Sequence, residues 1–262
     1  MAYKWVSINV WPMEPNNKPS EFTVAFLHGA LASKNSMRPI AQAILAALPG
    51  AQAKFIELPG HGQRAGQPVA SFALDDLAAD ALSELRREIG NNLPWSRVGL
   101  VGESTGALVF ARMIATLPEP PAFALFGEPP LSSRPYMSHV EAELAAAPGM
   151  IARKMASELF KFDEPEVTSW HQYFMELSCP SLLVYGECRE DNTPTTERPP
   201  VLSIIGPKDI EALRHGASLV TVGVEGRGHR LLQTMPGYWA SMLRGVLASS
   251  GHESFRHTRI KR

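Results

Sequence analysis

A serine with glycines two residues before it and two after it, set between an apolar run and a helical pattern, constrains this chain more than any other feature. Val98, Leu100 and Val101 form the run, which stops at Gly102-Glu103-Ser104-Thr105-Gly106; Ala107, Leu108, Phe110, Ala111 and Ile114 then follow at helical spacing. The order is strand, sharp turn, helix. Small residues at 102 and 106 let strand and helix approach closely, so a strained turn can hold the Ser104 hydroxyl out over a sheet edge. Ser104 is therefore a candidate nucleophile.

The rest of the chain alternates in the way such a turn requires. Residues 3 to 11 read as an edge strand, and Phe22 to Leu27 as a strand covered on both faces, ending at His28-Gly29-Ala30-Leu31. A helix from Met37 to Leu48, a strand from Ala53 to Leu58 and an amphipathic helix from Asp75 to Ile89 lead to the Ser104 turn. Another buried strand, Ala122 to Phe126, follows it. From Leu131 to Ser178 only helical patterns occur, over Met137 to Ala147, Met150 to Phe160 and Glu166 to Leu177. Strands resume at Ser181 to Tyr185 and Ser218 to Val222, separated by a Pro- and Thr-rich loop from Gly186 to Pro200 and a helix near Lys208 to His215. Met235 to Leu247 is the last helix, and Arg256 to Arg262 reads as a solvated basic tail. The pattern predicts an α/β fold, with a mostly parallel sheet of about seven or eight strands and helices on both faces. Residues 1–130 and 179–262 would form the core, and 131–178 a small inserted helical cap.

At 262 residues and 45% hydrophobic content the chain can bury a full core. A formal net charge of -1 gives no electrostatic reason to expect a nucleic acid or an anionic membrane as partner. The two cysteines, Cys179 and Cys188, lack metal-ligand spacing and read as ordinary thiols of a reducing compartment. The first residues lack the order of a secretory signal and no apolar run approaches about 18 residues, so a cytoplasmic location without a membrane span is the expectation. No phosphate loop, metal cluster or dinucleotide fingerprint occurs, and neither cofactor nor metal is expected.

Four landmarks, Leu27-His28-Gly29, Leu58-Pro59-Gly60-His61-Gly62, the Gly102 to Gly106 turn and Gly226-Arg227-Gly228-His229, fall in this order on predicted strand ends. In this the chain resembles the α/β-hydrolase superfamily. The resemblance implies a Ser, acid, His triad in that chain order, with Ser104 attacking and His229 taking its proton and returning it to the leaving group. Of the eight histidines, only His229 combines a strand end, flanking glycines and a place C-terminal to the nucleophile. His28 and His61 lie in loop motifs where the role is structural, while His139 and His171 fall in the cap.

The acid departs from the family pattern, because Arg189 stands where the family usually places it. Asp191, in Asp191-Asn192-Thr193-Pro194, is the expected acid; Glu190, and Glu128 at the end of the preceding strand, are the alternatives. An oxyanion hole would combine the Thr105 N–H with that of Ala30 or Leu31, each donor worth about 2.7 to 4 kcal/mol. Glu103 would lie beneath the site as a hydrogen-bonded structural carboxylate. The Met and aromatic side chains of the cap, Met155 and Trp170 among them, suit a small-molecule substrate with an apolar part.

The function expected is a serine hydrolase that cleaves an ester, thioester or lactone through an acyl-enzyme. Two alternatives are non-hydrolytic chemistry on the same scaffold (acyl transfer, C–C cleavage or cofactor-independent oxygenation) and a non-catalytic member that binds a small molecule.

Overall fold

A computed structural model describes residues 22–133, 144, 146–147, 150–186, 203–224, 227–249 and 257–260. The expected first strand, residues 3 to 11, and most of the first cap helix fall outside them. Seven strands form one sheet: β1 (Thr23–Leu27), β2 (Gln52–Ile56), β3 (Val98–Glu103), β4 (Phe123–Gly127), β5 (Ser181–Tyr185), β6 (Leu219–Val224) and β7 (His257–Ile260). Their order is β2-β1-β3-β4-β5-β6-β7 and every pairing is parallel. The first described strand therefore lies in the interior of the sheet, and the later ones extend it in both directions. The tail expected beyond Arg256 thus contributes an edge strand, because β6 would otherwise leave its ladder groups unpaired on that side.

The apolar strands are sorted by their pleat. Ala25 and Leu27 of β1 join one core cluster, whereas Val24 and Phe26 join the other. Two helices, α1 (Arg38–Ala47) and α8 (Pro236–Ser249), cover the second face, and α2 (Leu74–Ile89) and α3 (Thr105–Ile114) cover the first. A strand walled by helices on both sides is apolar at nearly every position, which is why β1 and β4 read as near-continuous hydrophobic runs. α8 covers the helix expected from Met235 to Leu247; a short α7 (Leu231–Thr234), not expected from the sequence, precedes it, and Pro236 has no N–H to carry one helix across the junction.

Between β4 and β5 the described chain is helical but shorter in its elements than the periodicity predicts. α4 (Met150–Lys154) runs into a π-helical turn, Met155–Leu159, closed by the Phe160 N–H on the Met155 carbonyl at 3.0 Å. The helix expected from Glu166 is only α5 (His171–Met175). The reason is a small antiparallel ladder at the root of this segment. Ser133 N–H donates to Thr168 O at 2.8 Å and Trp170 N–H to Leu131 O at 2.9 Å, so the backbone from 168 to 170 is extended. Lys154 Nζ donates to the Val69 and Ala70 carbonyls, and Phe72 N–H donates to Glu158 at 2.7 Å. These bonds seat α4 against the loop after β2. α6 (Pro207–Leu213) connects β5 to β6. No helix among the described residues is long and apolar enough to cross a membrane.

Candidate active site

The C-terminal ends of a parallel sheet open into crevices where neighbouring loops diverge, and here those ends carry the chemically distinctive residues. Ser104 directly follows β3 with φ 53° and ψ -123°, a conformation that L side chains avoid and that costs about 1 to 3 kcal/mol. Its N–H donates to Gly127 O at 2.7 Å, which extends the β3–β4 ladder into the turn. The flanking glycines make the turn possible: a Cβ at Gly102 would lie 2.6 Å from Ala107 Cα, and one at Gly106 would strike the Leu27 and His28 carbonyls. Gly29 leaves space on the other side, since a Cβ there would lie 2.9 Å from Ser104 Cβ.

Glu128 follows β4 one strand away, also at positive φ (45°), and is wholly buried. A buried carboxylate must be met by donors. Gly186 N–H and Ser203 Oγ (2.8 Å) donate to its Oε1, and Ile204 N–H donates to Oε2 at 2.8 Å. His229 Nδ1 faces the same Oε2 at 3.4 Å, a long contact of the kind that tightens when substrate or a transition state is bound. To make it, the loop after β6 has to reach back across β5. Gly186 at the end of β5 permits this, because a Cβ there would collide with Arg227 O. Of the carboxylates weighed as the acid, Glu128 is thus brought to His229, whereas Glu190 and Asp191 lie outside the described residues.

Two histidines support the loops around Ser104. His28 Nδ1–H donates to Gly29 O at 2.7 Å while its Nε2 accepts the Leu58 N–H at 3.2 Å. His61 does the same between Pro59 O (2.9 Å) and the Leu31 N–H (3.3 Å). Each ring is held as a neutral tautomer by one donor and one acceptor. Burial lowers the His28 pKa to about 4 and also lowers that of His61. Leu31, at φ 57° and 44% exposed, consequently has its N–H committed to His61. Ala30 precedes it and is half-buried. Thr105 opens α3, in the first turn, where helix N–H groups lack intrahelical acceptors.

Sequence reasoning did not find the cradle of Glu128. Ser203 and Ile204 lie in a stretch with no motif, and two of the donors are backbone groups that any residue type supplies. Gln233 was missed as well; it donates to Glu103 at 2.7 Å, and its position four residues after His229 on a helix was the available signal. Met155 and Trp170 are 0% and 4% exposed and belong to the main core cluster. Among the described residues, no group of three or more His, Cys, Asp or Glu side chains is placed to hold a metal ion.

No protein-family model matches the chain, and no curated protein matches it in sequence. Solved structures do match it in shape. A carboxylesterase from Bacillus subtilis superposes with a TM-score of 0.59 at 15% identity, over 86% of this chain and 83% of that one. An enzyme described as degrading N-acyl homoserine lactones gives 0.57 at 15% identity, over 86% and 92%. A haloalkane dehalogenase variant from Bradyrhizobium elkanii gives 0.57 at 18% identity, over 88% and 91%. Reactions this different on one backbone mean that the likeness speaks for architecture and not for substrate. The parallel sheet order, the strained serine turn after β3 and these neighbours together show that the chain has the α/β-hydrolase fold.

Proposed function

We propose that the protein is a serine hydrolase that cleaves an ester, thioester or lactone with an apolar part through an acyl-enzyme on Ser104. The observation that carries this reading is the approach of His229 Nδ1 to the buried, fully coordinated Glu128, on the strand next to Ser104. In this reading His229 takes the Ser104 proton through its other ring nitrogen as Oγ attacks the carbonyl carbon. Glu128 fixes the tautomer and stabilises the imidazolium. The tetrahedral oxyanion is met by the N–H groups of Ala30 and Thr105, because Leu31 N–H already serves His61. Collapse of that intermediate expels the alcohol, thiol or ring oxygen with the proton held on His229. Water then enters by the same steps and releases the acid.

Glu128 takes the acid's role in preference to Asp191. A glutamate one strand nearer the nucleophile has the reach, and three donors keep it in place. Support for the substrate class comes from the company of the fold, which includes the carboxylesterase and the lactone-degrading enzyme. The test is labelling by a fluorophosphonate together with turnover of a short p-nitrophenyl ester. We expect both in the native protein and neither in Ser104→Ala; an Ala variant that keeps the turnover would refute a nucleophilic Ser104.

A further inference from the structure

Glu103 carries a buried carboxyl that the reaction steps above do not use. It is 4% exposed; Gln233 Nε2 donates to its Oε2 at 2.7 Å, and its buried Oε1 has no hydrogen-bond partner among the described residues. As packing alone this is a poor choice, since a half-satisfied buried carboxyl costs more than an apolar side chain of the same size. The arrangement makes sense as a tie. Glu103 is the last residue of β3 and immediately precedes Ser104, and Gln233 lies on α7, four residues beyond His229. In the sheet β3 and β6 are separated by β4 and β5, so no strand ladder joins the serine turn to the histidine loop.

We propose that Glu103 is the positioning residue for His229 and acts through Gln233, locking the nucleophile strand to the helix that carries the histidine loop. The inference rests on Ser104 and His229 acting as nucleophile and base. Desolvation pushes the Glu103 carboxyl above its usual pKa, against the opposing pull of the Gln233 hydrogen bond and of the nearby His229 and Arg230. A glutamine side chain has the same shape and keeps an oxygen that can accept from Gln233 Nε2. Glu103→Gln should therefore preserve the tie, and Glu103→Ala should remove it.

The experiment measures kcat and KM on a p-nitrophenyl ester for Glu103→Ala, Glu103→Gln, Gln233→Ala and the Glu103→Ala/Gln233→Ala pair, and records the His229 ring signals of each by NMR. A misplaced base costs up to about a hundredfold. Glu103→Ala and Gln233→Ala should each lower kcat about thirtyfold with KM within about twofold, and the pair should be no worse than its poorer single, as for two ends of one bond. Glu103→Gln should stay within about threefold. The His229 signals should be sharp in the native protein and in Glu103→Gln, and broadened or split in both alanine variants. Native kcat in Gln233→Ala, additive losses in the pair, or unchanged His229 signals would overturn the proposal. Should Glu103→Ala fail to fold, Gln233→Ala and Glu103→Gln decide alone. A native protein without esterase turnover would refute the hydrolase reading instead, and the NMR signals would still decide whether Glu103 positions His229.

Discussion

His28 and His61 stand with ring centroids 5.3 Å apart, and each bridges two loops by donating to one backbone carbonyl and accepting one backbone N–H. Neither can take a second proton without losing its acceptor role. For His28, whose folded pKa of about 4 lies below the ordinary histidine value of about 6.5, the unfolded chain binds the proton more readily. The stability tied to this group is present above about pH 6.5 and is lost as pH falls toward 4. It amounts to about 3 kcal/mol, at 1.36 kcal/mol per unit. Urea denaturation between pH 7 and pH 4 should show a shallower loss for His28→Gln than for the native protein; parallel curves would disprove the assignment.

Glu128→Gln should lower kcat/KM by at least about a hundredfold, because the imidazolium loses its counter-charge. The amide also points N–H groups toward donors, whichever way it turns, so about 1 to 3 kcal/mol of stability should go as well. Asp191→Asn should remain within about tenfold of the native rate. The reverse order of losses would move the acid to the loop after β5.

Ser104 occupies a backbone conformation that glycine adopts without strain. Ser104→Gly should therefore be inactive yet more stable than Ser104→Ala, by about 1 kcal/mol. Thermal unfolding of the two variants checks this, and equal or reversed midpoints would show that the turn is not strained.

Met155 and Trp170, among the side chains read as suiting an apolar substrate, are buried in the core, and their burial predicts an effect on stability. Met155→Ala should cost about 2 to 5 kcal/mol and Trp170→Ala about 3 to 5 kcal/mol. Denaturant midpoints settle the matter: native stability in either variant would mean that the side chain does not belong to the core.

What could be read in the sequence was whatever is written locally. The Ser104 turn is encoded by Gly102 and Gly106 within five residues, and β1 and β4 by runs that are apolar at almost every position. The partner of His229 is not local. Glu128 is selected by Gly186, which lets the histidine loop pass over β5, and by donors at 203 and 204, all more than fifty positions downstream. Gly-Glu-Pro-Pro announces only the end of a strand. The pattern from Glu166 to Leu177 misled for a related reason: helical spacing cannot register that Thr168 and Trp170 give their backbone groups to Leu131 and Ser133.

That same ladder has a consequence for how such a chain can change. Leu131 and Trp170 are bonded side by side through their backbones, so the two ends of the segment between them already touch. A loop of almost any length can be spliced at a stem whose ends already touch, since closing it costs little extra chain entropy. Length can therefore vary between residues 133 and 168 without disturbing the strand order of the sheet beneath.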